Sequence, residues 1–174
     1  MSVMKLSLVV SAVSLASGLA VFGARLIGDS SHGTSEPGAP QQAFQSWQDS
    51  ALPVILGYRQ ALAAAQTPSR VAKPATRVRS AERARSTLMR LAATLRAAPP
   101  IATHELRRLN TTLAQAIGLA IAGERTYALA LRDHRSDLMR RAKLQLDHSA
   151  AVMFYMSLRA NAIGTELNTT QAEG

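Results

Sequence analysis

The sequence predicts an all-α protein: an antiparallel bundle of three or four helices preceded by one N-terminal hydrophobic helix. Three observations predict it. Aromatic residues make up only 4% of the chain although hydrophobic ones reach 47%. Alanine supplies much of that difference, and alanine is the best helix former, whereas strands favour aromatic and β-branched side chains. Apolar residues also recur at spacings of three and four, the period of an amphipathic helix. Finally, proline-containing or wholly polar breaks fall at Thr67–Pro74, Pro99-Pro100 and Arg132–Asp137, and they cut the chain into helix-sized pieces.

The N-terminal helix comes first. Leu6 to Ala24 carries no charge and lies between Lys5 and Arg25. As a helix it would be roughly 28 Å long, close to the roughly 30 Å hydrocarbon core of a bilayer. Ser7, Ser11, Ser14 and Gly18 recur at spacings of four, three and four, so they share one face; small residues there allow transmembrane helices to approach closely. The expectation is a signal-anchor over residues 1–28, in contact with the membrane through residues 6–27 and placing the rest outside the cytoplasm. The alternative is secretion after cleavage near Ala20, with Gly18 and Ala20 as the small residues of the cut site.

Residues 29–42 read DSSHGTSEPGAPQQ, a stretch of turn formers without apolar period, and are expected to form a flexible linker. The bundle is expected over 43–168. From Ala43 to Gln66, Phe44, Trp47, Leu52, Ile55, Leu56 and Leu62 fall near a helical period that Pro53 interrupts. The pattern predicts a short helix, a kink, and a main helix from about Leu52, with Ser50 as its cap. Trp47, the only tryptophan, is expected to plug the core. A basic helix follows over Ala75–Ala98 with the apolar stripe Val78, Ala81, Leu88, Leu91, Ala92 and Leu95. The last segment starts at Thr103, a cap residue, with Glu105 in the first turn where an acid suits the helix dipole. A single helix to Leu167 would span roughly 97 Å, so a break is expected at RDHRSD, Arg132 to Asp137. Gly118, Ala122 and Gly123 are expected to allow close helix packing. The apolar run AVMFYMSL, 151–158, is expected in the core, with a contact surface of Met153, Phe154 and Met156 as the alternative. Residues 169–174 are expected to be a disordered tail.

Chemistry is sparse. With no cysteine, disulfides, iron–sulfur clusters and thiolate zinc sites are excluded. His104-Glu105 begins like a zincin motif, but Arg108 stands where the second histidine belongs, and no Glu-x-x-His pair occurs. His134 and His148 would lie roughly 21 Å apart on a straight helix, too far to share an ion. There is no nucleophile elbow and no glycine-rich phosphate loop. The sequence therefore predicts no enzyme, no cofactor, no metal and no small-molecule substrate. Glu124 draws notice because its heptad position places an acid near Tyr127 on the apolar side.

Charge carries the remaining signal. The net charge is +9 and the pI about 11.2, and arginine dominates, since lysine occurs only at Lys5, Lys73 and Lys143. Such a balance attracts polyanions. Arg70, Lys73, Arg77, Arg79, Arg83, Arg85 and Arg90 form the candidate anion-binding run, opposed within it by one acid, Glu82. Arg79, Arg83 and Arg90 fall within roughly 40° of one another on a helix, opposite the apolar stripe. Aromatic residues for base stacking are missing from that face.

Two functions are expected from these features. The leading one is a non-enzymatic, membrane-anchored, extracytoplasmic bundle that contacts a protein partner or belongs to a larger membrane complex of the cell envelope. The alternative is a basic module that binds an anionic polymer or anionic lipid through the arginine-rich helix.

Overall fold

The structure, a computed structural model, describes residues 38–67, 72–99, 101 and 103–172. Among them it has four α-helices and no strand: α1 (Ala39–Gln66), α2 (Pro74–Ala97), α3 (His104–Arg132) and α4 (Ser136–Ala172). The expected N-terminal hydrophobic helix, with Ser7, Ser11, Ser14 and Gly18, and the cleavage position near Ala20 lie outside the described residues. No helix among the described residues is long and apolar enough to cross a membrane.

Local chemistry sets the helix ends. Pro40 and Pro74 sit in the first turns of α1 and α2, where a missing N–H costs little. Thr103 caps α3 as its position predicts, its Oγ1 accepting from the Leu106 N–H at 3.3 Å. The break at RDHRSD is also real. α3 ends at Arg132, and His134 adopts φ 52°, the left-handed conformation that glycine usually supplies after a helix. The Arg135 N–H then donates to the Ala130 carbonyl at 3.1 Å, which closes the turn before α4 starts.

Three boundaries differ from the sequence reading. α1 begins at Ala39, so its first turn uses the end of the stretch expected as linker, and α4 continues through the expected tail to Ala172. α1 is also one helix rather than two. Pro53 lies inside it and is exposed, while Ala51 and Val54 in the same turn are buried. The backbone bond that Pro53 removes is therefore outweighed by the packing of the flanking turns. Ser50 does not cap a helix; its Oγ donates to the Trp47 carbonyl at 2.9 Å.

The core stripes keep a seven-residue repeat. α1 buries Phe44, Trp47, Ala51, Val54, Tyr58 and Ala61. α4 buries Ala142, Ser149, Met153, Met156, Ala160 and Ile163. Alternating spacings of three and four produce the shallow crossings of a helical bundle. α3 packs against both α2 and α4, and accordingly its buried surface is the widest. Trp47 is a core residue, as expected, with its ring stacked on Phe44 at a centroid distance of 5.8 Å.

Polar ties cross between helices and show that α1 and α4 run antiparallel. Gln41 Nε2 donates to the Leu167 carbonyl near one end of α1, and further along α1 Tyr58 meets Ser149. The Ser149 hydroxyl donates to the Ala116 carbonyl at 2.6 Å, so its proton is used there, and the Tyr58 hydroxyl must donate to Ser149 Oγ at 2.7 Å. One serine thus joins α1, α3 and α4. The close approach expected at glycine is found at Gly123, where a Cβ would come within 2.7 Å of Leu146. It is not found at Gly118, whose Cβ position is open.

Candidate interaction surfaces and a buried glutamate

The arginine run divides into different environments. Arg70 lies outside the described residues. Lys73 precedes the first turn of α2 and is exposed. Arg77 is half-buried and turned inward: its Nε donates to the Tyr127 hydroxyl at 3.0 Å, and its guanidinium carbon lies 5.5 Å from the centroid of that ring. It joins α2 to α3. Arg79, Arg83 and Arg90 are exposed along α2. Arg90 holds Thr87 Oγ1 at 3.3 Å, and none of the three enters an ion pair among the described residues.

Arg85 points elsewhere. It lines a cavity of about 190 Å³ between α2 and α3, together with Glu82, Glu124, Arg125 and Arg132. Glu124 is buried, at 3% exposure. Its heptad position in α3 puts it on the packed side, one residue from Gly123 and its tight contact with α4. Its Oε2 is buried without a hydrogen-bond partner. Burial pushes its carboxyl up to about 7, because the charged form loses water and gains no donor in return. Around it, Arg132 pairs with Glu82, whereas Arg85 and Arg125 have no ion pair among the described residues. The cavity thus combines one protonatable floor group with more guanidinium than carboxylate charge. Arg125 and Arg132 belong to α3 rather than to the α2 run, and the sequence already places them one residue after, and two turns after, Glu124.

A second surface lies on α4. Within the run 151–158, Met153 and Met156 are buried as expected for core residues, but Phe154, Tyr155 and Leu158 are 55%, 64% and 52% exposed. Leu144 is 69% exposed. On a helix, Leu144, Ala151, Tyr155 and Leu158 fall within roughly 60° of one another, on the side opposite the core stripe, and Phe154 flanks them. They repeat at seven, four and three residues, the spacing of a helix–helix seam. Their repeat was present in the sequence, but the second apolar stripe on the other side of α4 masks it.

The structure holds few other groups that could do chemistry. Among the described residues no cluster of three or more His, Cys, Asp or Glu could hold a metal ion. His104, His134 and His148 are all exposed. In comparisons with known proteins, no family, no curated protein and no solved structure matches this chain.

Proposed function

We propose that this chain is a non-enzymatic helical-bundle protein, held at a membrane by residues 6–27 on the extracytoplasmic side, that acts as an interaction subunit. The observation that carries the reading is the outer face of α4. A bundle whose core stripes already face one another still leaves Leu144, Tyr155 and Leu158 more than half exposed, with Phe154 beside them. Contiguous exposed apolar surface marks a contact site. The heptad spacing specifies the partner's form: a helix with an apolar seam of its own. The uncharged span before Arg25 supports the anchor, and the polar stretch after it supports a tether.

The test is the mass of the particle that the full chain forms after extraction in mild detergent. The expected result is a complex heavier than one chain plus its detergent, which Leu144→Glu with Leu158→Glu reduces to the single chain while the thermal midpoint stays in place. A wild-type chain that is already single under those conditions overturns the reading. A mature N-terminus near Val21, read by mass spectrometry, overturns the anchor.

One observation favours a second reading, a basic module for an anionic polymer or lipid. Arg79, Arg83 and Arg90 share one exposed face and form no ion pair among the described residues. That reading expects salt-sensitive binding to anionic vesicles that falls when all three become Gln. Binding unchanged by the substitutions removes it.

A further inference from the structure

The α2–α3 cavity has features that neither reading uses. It is lined by Arg85, Arg125 and Arg132 and by the carboxyl group of Glu124, which is almost wholly buried and whose Oε2 has no hydrogen-bond partner among the described residues. A buried polar atom left unpaired costs free energy unless something satisfies it. We propose that this cavity is a binding site for a small oxyanion, held by Arg85 and Arg125 and by Glu124 acting as a hydrogen-bond donor.

Charge selects the ligand's sign. The lining comes from α2 and α3 alone, and its charged groups are Glu82, Arg85, Glu124, Arg125 and Arg132. Glu82 and Arg132 neutralise each other. What remains in the lining is two guanidinium groups without an ion pair among the described residues, and one buried carboxyl group. A cation would meet net repulsion there, whereas an oxyanion can accept from both arginines in the planar geometry that guanidinium favours. A neutral carboxyl group adds one more donor, and an ionised one would repel the ligand. Burial holds Glu124 on the neutral side up to about pH 7, and no charged side chain of α1 or α4 lines the cavity to reverse that. Size selects the ligand's bulk. At about 190 Å³ the cavity falls below the roughly 300 Å³ at which pockets begin to enclose drug-sized molecules, so sulfate, phosphate or a short carboxylate fits and a nucleotide does not. Ala128 and Leu129 add apolar surface to the lining.

The experiment is calorimetric titration of the full chain with sulfate, whose own charge is constant between pH 6 and pH 8. Saturable binding is expected at pH 6, weakening severalfold at pH 8 as Glu124 ionises. Arg85→Gln with Arg125→Gln should weaken it at least tenfold at pH 6. Glu124→Gln, which keeps a donor and cannot ionise, should bind at pH 8 as the wild type does at pH 6. Absence of saturable binding, indifference to the arginine pair, or equal wild-type affinity at the two pH values each overturns the proposal. A parallel arm with anionic vesicles separates the sources of the oxyanion. Vesicle binding that free sulfate displaces, and that the Arg85/Arg125 variant loses, assigns the site to a lipid headgroup. Vesicle binding unaffected by either assigns it to a soluble anion. The site is independent of the α4 face, so Leu144→Glu with Leu158→Glu leaves sulfate affinity unchanged.

Discussion

At the scale of single residues, two positions run against local rules, and each yields a measurable consequence. Glu124 is an acid in the packed wall of α3. Its folded-state value is raised from 4.5 to about 7 by burial, so the folded protein binds its proton more tightly than the unfolded chain does. Its contribution to stability is therefore fully present below about pH 4.5 and is lost as pH rises through about 7. The difference is on the order of 3 kcal/mol. Denaturant unfolding at pH 5 and pH 8 should show wild-type stability falling over that interval, with Glu124→Gln removing most of the fall and exceeding the wild type at pH 8. A profile that is the same in both proteins would mean that Glu124 finds a cationic partner in solution. His134 is the other position. Its left-handed backbone serves the α3–α4 turn, and its side chain is exposed. His134→Gly loses no buried contact and relieves a conformation that costs an L-residue roughly 1 kcal/mol. The expected outcome is a stabilisation of about that size, seen as a higher denaturant midpoint with an unchanged slope.

At the scale of helices, the same residue type has opposite meanings five positions apart. Gly118 and Gly123 both lie within α3. A Cβ at Gly118 meets nothing within 4 Å, so Gly118→Ala should stabilise by about 1 kcal/mol through helix propensity alone. A Cβ at Gly123 comes within 2.7 Å of Leu146 Cγ and Cδ2, so Gly123→Ala should destabilise by about 1–2 kcal/mol, the propensity gain being outweighed by overpacking. Thermal unfolding of the two variants checks both signs. The pair also shows how far sequence carries here. The apolar repeat, the Thr103 cap and the polar break at Arg132–Asp137 are local properties, and local physics suffices to place α2, α3 and α4. Which glycine touches a neighbour depends on the register between helices, which no single helix encodes. The same limit applies to the cavity: Arg85 and Glu124 line one cavity only because α2 packs along α3. Pro53 failed as a predictor for a related reason. A proline argues for a break from the backbone alone, whereas the outcome depended on what Ala51 and Val54 pack against. In α4 the period was legible but its meaning was not, because an apolar stripe looks the same in sequence whether its own bundle or another molecule covers it.

At the scale of the whole molecule, the stretch from Pro37 to Gly174 forms one compact unit. The core residues buried among the described residues belong to it, and Ser149 joins three of its helices through hydrogen bonds. A chain that starts at Pro37 should therefore fold without the apolar N-terminal segment, with high helical content and one cooperative transition in circular dichroism. Two separate readouts then divide the proposed roles. If residues 6–27 hold the protein to a bilayer, the full chain sediments with membranes and the chain from Pro37 does not. If the outer face of α4 is a contact surface, the shortened chain still carries it, and its apolar side chains stand in water. It should then associate in a concentration-dependent way, measured by light scattering across a hundredfold dilution, and Leu144→Lys with Leu158→Lys should abolish that association. The thermal midpoint should barely move, since both residues are exposed and outside the core. A midpoint that falls by several degrees would show that Leu144 and Leu158 support the bundle itself, and the face would then be structural rather than a place for a partner helix.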